Sequence, residues 1–547
     1  MSFRDLRRSR LLLPATLAIG ITALAAGWYS FTTAPAPAPR IRYVEGVVGA
    51  PQRPNPLFAR EHAADEDLAA LLFSGLVRIA GDGTPRPDLA EAWDVTPDGR
   101  TYSFRLRSDL YWHDGERVDS ADVAFTISRV QQPGFQGAAT LALRWRGVEL
   151  QAPDARTVIF RLPEARADFL VQTDLGVLPE HLLSGLSVRE LLESPFHRAP
   201  VGSGPYRLVE LSPERALLER NPSYHLGAPA IDQIELRFFA HATALEEALV
   251  RGELDGALLE EGRHRQTAAV LERRPDLRAL ALPRNGFTLL YINNGRPPLD
   301  DPATRRAIAA SIDRDALLAL VPGATAGISP IVPHSWAHSP VSAPGPEQAA
   351  ERFAAAGWLR NADGELALAG RVLSLTLITN AEPERVALAE LVAGQLRAQG
   401  LELTVEPLPA FELVGARLGF HDYDLALFGW ESGVDPDPYS GWHTSQIPPP
   451  GRNVASYQDS VSDRMLEGAR RTLDVTERRA LYAAFAERFV EQAASAVLFY
   501  PSRTHLVPSS LRGVEPGLLF RSGSRFRNVH AFYFEGAHDP PGGDAGR

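Results

Sequence analysis

The sequence contains no cysteine and no lysine, and only two methionines. Without cysteine there is no disulfide bond, no thiol nucleophile, no cysteine-ligated metal and no attachment point for the lipid that tethers many exported bacterial proteins. Without lysine there is no Gly-x-x-x-x-Gly-Lys phosphate loop, and all 56 basic residues are arginine. The stability of the fold must therefore come from packing.

A dense stripe of basic residues is also missing between residues 41 and 547, and the net charge is −11. Nucleic-acid binding needs such a stripe along a phosphate backbone, so nucleic acid is not an expected partner. The chain has 547 residues, of which 45% are hydrophobic and 22% charged. This length and composition predict large buried cores divided between two or three domains.

The N-terminus has the pattern of an export signal. Four arginines within residues 4–10 precede the uncharged segment 11–33. Residues 23–25 (Ala-Leu-Ala) fit a cleavage site, but the apolar residues 11–28 also approach the roughly 20 needed to span a bilayer. We therefore predict that residues 1–33 are either a cleaved signal peptide or a membrane anchor, with residues 34–40 as an extended Pro/Ala linker. In both cases the remaining chain is periplasmic.

Motifs for catalysis or metal binding are weak. The chain has no Gly-x-Ser-x-Gly elbow and no His-Glu-x-x-His. His113, Asp114 and Glu116 lie at a tight turn that is either a metal site or a hairpin tip. His334 and His338 have helical spacing, but the surrounding prolines oppose a helix. The sequence predicts no catalytic residue, no metal and no cofactor, and indicates that the protein is not an enzyme.

The second half of the chain alternates between patterns of strands and helices. This alternation predicts a parallel sheet, whose ligands bind beyond the carboxyl ends of the strands. Those ends are at Thr379 and Asn380 and at residues 429–433. The predicted elements are strand 372–378, helix 383–397, strand 401–405, helix 411–418 and strand 423–428.

One loop is unusually aromatic. After the apolar strand the chain breaks at Gly429 and continues through two Asp-Pro turns with Trp430, Tyr439 and Trp442. Two tryptophans in one polar loop favour stacking on a ligand. The alternative is that the rings only cover the surface of a lobe.

Two further patterns concern how the halves of the chain connect. Residues 301–320 read as one helix, with Asp301 as its cap. Residues 496–500 read as a last strand, after which residues 505–507 return to the first half. We therefore expect the chain to cross between two lobes near Asn285 and Ser502.

Several motifs together resemble one family. In the order of that family, they are residues 87–125, 200–208, 220–224, 291–294, 298–314, 355–358 and the aromatic loop. The sequence resembles the family 5 extracellular solute-binding proteins, the dipeptide, oligopeptide and nickel receptors of ABC importers. The resemblance extends from about residue 42 to residue 529.

The resemblance implies an α/β, two-lobed periplasmic-binding-protein fold of type II, with an extra subdomain in lobe 1 and a hinge between the lobes. The implied boundaries are lobe 1 at 41–284 with the subdomain at about 86–199, lobe 2 at 285–501, a return to lobe 1 at 502–535, and a disordered tail at 536–547.

It also implies a function. The expected protein is a monomer that binds peptides between its lobes and delivers them to the permease subunits of an ABC importer in the inner membrane. Alternatives are an exported sensor or chaperone-like binder on the same fold, or a periplasmic hydrolase.

Dipeptide-specific members of the family carry an aspartate three residues after the tryptophan, for the amine, and an arginine at the end of the preceding strand, for the carboxylate. Here Gly433 and Thr379 occupy those positions, which favours oligopeptides over strict dipeptides. Glu431, Asp435 and Asp437 either replace the amine contact or only shape the Asp-Pro turns. The predicted ligand-binding residues are Trp430, Glu431, Ser432, Gly433, Tyr439, Trp442, Thr379, Asn380, Glu61 and His62.

Overall fold

The computed structural model describes residues 40–536. From Arg42 onward these residues belong to one compact unit. The predicted signal or anchor, the linker except Arg40 and the predicted tail except Gly536 lie outside the described residues. Within residues 40–536, no helix is long and apolar enough to cross a membrane.

A seven-stranded mixed sheet organises the part of the chain that we call lobe 1. Six of its strands come from before residue 284, and one comes from the C-terminal region. In spatial order the strands are Leu277–Pro283, Ser502–Pro508, Gly256–Leu258, Arg42–Val48, Gln233–Phe239, Arg215–Arg220 and Tyr206–Leu211. Residues 505–507 thus pair within the sheet of lobe 1.

A six-stranded sheet organises lobe 2. Ser374–Asn380 pairs in parallel with Glu402–Leu408 and with Leu425–Glu431, as the alternating pattern predicts. Gly286–Ile292 then pairs antiparallel with Leu425–Glu431. In spatial order the strands are Thr325–Ala326, Ser495–Tyr500, Gly286–Ile292, Leu425–Glu431, Ser374–Asn380 and Glu402–Leu408.

The remaining strands form four smaller sheets in the described part of the chain. A four-stranded antiparallel sheet lies within the predicted subdomain: Ala90–Val95, Thr101–Leu106, Thr157–Arg161 and Glu149–Asp154. The short pairings are Val77–Ile79 with Pro85–Pro87, Leu511–Arg512 with Tyr533–Phe534, and Leu359–Arg360, Leu366–Leu368 and Arg371–Val372 together. The exact domain boundaries stay a prediction.

The helices cover both faces of the large sheets. Residues 301–320 differ from the prediction, because Pro302–Ala310 and Arg314–Leu318 are separate helices and Asp313 caps the second through the backbone N–H of Ala316. The α-helices are Ala63–Leu72, Ser120–Gln131, Ala139–Trp145, Phe169–Gln172, Glu180–Leu183, Val188–Leu192, Ala242–Val250, His264–Arg273, Pro302–Ala310, Arg314–Leu318, Ala349–Ala355, Pro383–Ala398, Ala410–Glu412, Tyr439–Trp442, Ser460–Arg471 and Val475–Gln492, and Leu413–Leu418 is a π-helix.

The strand Gly286–Ile292 explains why lobe 2 is stable without disulfides. All seven of its residues are buried. Leu290 and Ile292 belong to one apolar cluster, and Leu289 and Tyr291 to another. Because side chains alternate across a sheet, the strand packs against a core on each face.

A buried ion network closes lobe 1. The Arg525 guanidinium donates to Glu45 at 2.5 Å and to both carboxylate oxygens of Asp67 at 2.6 and 2.7 Å. His505 Nε2 lies 3.3 Å from Glu45. Burial alone would raise the pKa of Glu45, but the ion pairs with Arg525 and His505 lower it to about 2. The network joins the first strand, the first α-helix and the C-terminal return.

We expect Arg525→Met to lower the free energy of unfolding by about 3 kcal/mol or more, since the buried Glu45 and Asp67 would both lose their guanidinium partner. Guanidinium chloride unfolding measures the change. The control is Arg512→Gln, whose ion pair with Glu535 is exposed and should change stability by less than about 1 kcal/mol. A loss for Arg525→Met no larger than the control would contradict this reading of the network.

Candidate ligand-binding site

A cavity of about 480 Å³ is lined by residues of both lobes. We call it the interlobe cavity. Lobe 1 contributes the end of strand Arg42–Val48 and the start of helix Ala63–Leu72, and lobe 2 contributes Glu431 and Ser432. Arg284, Asn285 and Arg503 line it at the two crossings between the lobes. The volume is within the range of small-molecule and peptide sites.

A second cavity of about 200 Å³ follows the last residues of strand Leu425–Glu431. We call it the strand cavity. It shares Glu261, Arg284 and Glu431 with the interlobe cavity, so the two adjoin. Trp430 and Asn380 also line it.

One backbone edge in the strand cavity is unpaired. Gly286–Ile292 pairs with the whole of Leu425–Glu431 on one side. On the other side, the parallel pairing with Ser374–Asn380 ends at Ala426. In the described part of the chain, residues 428–431 have no further backbone partner there. This edge leaves N–H and C=O groups available to an extended ligand.

Trp430 is half-buried at this edge. Its strand neighbour is Phe287. A Cβ atom at Gly441 would lie 3.3 Å from the Trp430 ring, tighter than ordinary contact, so glycine there leaves room for the indole. The Trp430 ring thus packs against lobe 2 at Gly441, and Trp430 also lines the strand cavity, where a ligand could contact it.

The residues after Trp430 are tied to the first crossing. Ser432 N–H donates to the Asn285 carbonyl at 2.8 Å, and the Asn285 side-chain amide donates to the carbonyls of Ser432 and Gly433 at 3.1 and 2.5 Å. Ser432 lines the interlobe cavity, whereas Gly433 lines neither cavity. Both residues therefore link the loop to the crossing through their backbone.

The three acidic residues of the loop already have arginine partners. Asp435 accepts two hydrogen bonds of 2.7 Å from Arg478. Asp437 binds Arg470 at 2.6 Å and also accepts from the Tyr439 N–H, as an Asp-Pro turn requires. Glu431 pairs with Arg284. The sequence left two roles open for these carboxylates, namely to bind a ligand amine or to shape the Asp-Pro turns. Because arginines already bind Asp435 and Asp437, the first role fits these two residues poorly.

Besides Gly433, three predicted site residues line neither cavity. Thr379 is fully buried, and its hydroxyl donates to the Leu427 carbonyl. Trp442 is 1% exposed and packs edge-on against Phe489 at 4.7 Å. Tyr439 stacks on His443 with ring centroids 4.1 Å apart. Each of these side chains contacts other residues of lobe 2, and the role of the three as ligand contacts stays a prediction.

The remaining predicted residues lie close to the cavities. Asn380 lines the strand cavity, and its buried Oδ1 has no hydrogen-bond partner within the described structure. His62 lines the interlobe cavity and directly precedes helix Ala63–Leu72. Glu61 ends the short helix Ala59–Glu61, and its side chain is outside what the structure describes.

The family model of the bacterial extracellular solute-binding proteins, family 5, matches residues 84–449, which is more than half of the chain. The chain belongs to this family. The resemblance seen in the motifs and the two-lobed α/β fold are thereby confirmed.

Named relatives of this family 5 protein have different ligands. The oligopeptide-binding protein AppA of Bacillus subtilis is 25% identical over 86% of this chain and 88% of its own length. A probable di/tripeptide-binding protein 5 of Pseudomonas aeruginosa is 26% identical over 82% and 88%. The crystal structure of NikZ from Campylobacter jejuni in complex with Ni(L-His) has a TM-score of 0.67 at 25% identity, covering 90% of this chain and 99% of that one.

Sequence reasoning missed the residues that line the crossings. Arg284 and Glu261 form an ion pair of 2.5 Å beside both cavities, and Arg503 begins the return to lobe 1. The only sequence signal for them is their position at the predicted crossings. Their charges carry no local pattern that marks a site.

Two of the histidines considered as metal ligands, His113 and His338, have other partners in this family 5 protein. His113 Nε2 lies 3.0 Å from the Gly204 carbonyl, and its Nδ1 accepts from the Gly202 N–H. His338 Nδ1 lies 3.1 Å from the Ile331 carbonyl. Across residues 40–536, no group of three or more His, Cys, Asp or Glu side chains is placed to hold a metal ion.

We expect the environment of His113 to make the fold acid-sensitive. Burial lowers the pKa of His113 to about 4. The unfolded chain, with an ordinary histidine pKa, binds the proton first, so stability is complete above about pH 6.5 and falls as the pH drops toward 4. Between pH 7.5 and 5 the wild type should lose on the order of 1–2 kcal/mol more than His113→Asn, measured by denaturant unfolding. The exposed His241 provides the control variant, His241→Asn, which should behave as the wild type.

We expect Asp435→Asn to lower the free energy of unfolding by about 3 kcal/mol, because the buried Arg478 would lose its carboxylate. The matched control is Glu390→Gln, which removes an exposed pair with Arg397 and should change stability by less than about 0.5 kcal/mol. If Asp435→Asn left stability intact and only weakened ligand binding, Asp435 would be a ligand contact after all.

Proposed function

We propose that this protein binds peptides between its lobes and delivers them unchanged to the permease of an ABC importer. The unpaired backbone edge of residues 428–431 carries the proposal. That edge borders the strand cavity and leads through Glu431 into the interlobe cavity.

An extended peptide satisfies this edge in a way that few other solutes can. Its own N–H and C=O groups repeat at the spacing of a strand, so it adds to the sheet beside Leu425–Glu431. The main-chain hydrogen bonds supply affinity without reading the peptide sequence, while Trp430 packs against one of its side chains. A sequence-tolerant receptor follows from this division.

The names of the relatives support the same class of ligand. AppA is named as an oligopeptide-binding protein and the Pseudomonas relative as a di/tripeptide-binding protein. The structure of NikZ, by contrast, is a complex with Ni(L-His). Membership of an extracellular solute-binding family supports a periplasmic location and a binder without a catalytic step. As part of the same proposal, the protein is a monomer. Its lobes have the boundaries that the sequence predicts, and they close over the ligand.

Among peptides, we favour oligopeptides over strict dipeptides. The position expected to bind a dipeptide carboxylate is Thr379, which is buried and bonded to Leu427. Asp435 and Asp437, the nearest candidates for the amine, are occupied by arginines. The adjoining cavities offer a path longer than a dipeptide needs.

Mass spectrometry of material released by denaturing the purified full chain tests the ligand class. A mixture of peptides of several sequences is the expected result. Peptides N-methylated along the backbone should bind less tightly than their unmethylated counterparts, because the methyl groups remove N–H donors. A single non-peptide compound, or sustained cleavage of added peptides, would overturn the proposal.

We expect Trp430→Ala to weaken binding of the co-purifying peptides by about 2 kcal/mol or more, because a large ring contact is lost. Isothermal titration calorimetry measures this affinity. Trp93→Ala removes a half-buried tryptophan that packs near Phe104 and lines neither cavity, so its affinity should match the wild type. Equal affinity for Trp430→Ala and the wild type would give Trp430 a purely structural role.

A further inference from the structure

Arg503 is held in a fixed position on the wall of the interlobe cavity. It follows Ser502 at the second crossing and begins the return to lobe 1. Its Nε donates to the Leu259 carbonyl at 3.0 Å, and one Nη2 hydrogen donates to the Leu258 carbonyl at 3.3 Å. A guanidinium carries five N–H donors, so three are left for another partner.

The other arginines on this wall differ from Arg503 in their pairing. Arg284 binds Glu261 and Glu431, Arg521 binds Asp174, and Arg525 binds Glu45 and Asp67. Within residues 40–536, Arg503 has no carboxylate at ion-pair distance, and the same holds for Arg60. Only Arg503 of these two is also fixed by hydrogen bonds to the backbone.

The charges around Arg503 leave it available to an anion. Burial, together with the nearby Arg525 and Arg284, lowers the pKa of Arg503 to about 10. The carboxylates that act most strongly on its pKa are Asp67 and Glu260. Asp67 is already bound by both terminal nitrogens of Arg525, and Glu260 is exposed.

We propose that Arg503 binds a carboxylate of the ligand and supplies the contact that is missing at Thr379. A carboxylate accepts two parallel hydrogen bonds from a guanidinium, and the cavity wall holds this one ready. The inference rests on the proposed function, because it assigns one end or side chain of a bound peptide.

A peptide that pairs with the strand edge would extend into the cavity that Arg503 lines. A peptide paired with residues 428–431 leaves the strand edge at Glu431, which lines both cavities. The next residue, Ser432, lines the interlobe cavity together with Arg503. A carboxylate that reaches Arg503 there is either the C-terminal carboxylate or the side chain of an aspartate or glutamate.

Two peptide libraries distinguish these sources. A mixture of random tetrapeptides is prepared once with free C-termini and once as C-terminal amides, and each is incubated with the full-length protein before retained peptides are quantified by mass spectrometry. We expect the wild type to retain free acids about tenfold or more over amides. If the side chain is the source, amides are retained equally well but are enriched in aspartate and glutamate.

Three variants locate the effect. Arg503→Gln should reduce the acid preference or acidic enrichment to about that of chance, and Arg503→Lys should restore part of it, because lysine keeps the charge but not the paired donors. Arg265→Gln, at an exposed position of helix His264–Arg273, should retain the wild-type preference. Thermal unfolding checks that each variant is folded. If Arg503→Gln does not fold, the comparison of Arg503→Lys with the wild type decides the result.

The outcomes separate the two proposals. If the wild type retains peptides without any preference for carboxylates, or if the Arg503 variants keep the preference, the assignment of Arg503 is overturned while peptide binding stands. If the wild type retains neither library, the proposed function fails and the carboxylate assignment fails with it.

Discussion

The burial of Arg525 between Glu45 and Asp67 is the constraint on which the site depends. These partners are 480 and 458 positions away along the chain, so the ion network holds the C-terminal return against the first strand and the first α-helix. The same three segments form the lobe 1 wall of the interlobe cavity. Because breaking a buried ion network is strongly destabilising, this network fixes the lobe 1 wall of the interlobe cavity.

The acidic loop of lobe 2 shows the same use of arginine. Asp435 and Asp437 are each neutralised by an arginine from a following helix, so the loop keeps its shape without offering free negative charge to a ligand. Since the chain has no lysine, every such pair uses a planar guanidinium that can bind both carboxylate oxygens. Under the proposed function, affinity then depends on the strand edge, on Trp430 and on Arg503.

The sequence predicted the framework better than the side-chain contacts. The parallel strands of lobe 2 and both crossings follow from apolar runs and turn residues, which are local signals. Residues 301–320 show the limit of such signals: the apolar pattern continues across Asp313, but its carboxylate caps a new helix. Trp430 and Trp442 were equivalent in sequence, yet one borders a cavity and the other is in the core.

The sequence by itself determined the family and the order of strands and helices in the sheet of lobe 2, because these depend on residue patterns a few positions long. Only the tertiary structure decided which carboxylates are occupied, which aromatic ring faces the cavity and which arginine stays unpaired. Those properties depend on contacts between distant segments, such as Arg503 with Leu258 and Leu259. Local sequence patterns do not predict which distant residues will be in contact.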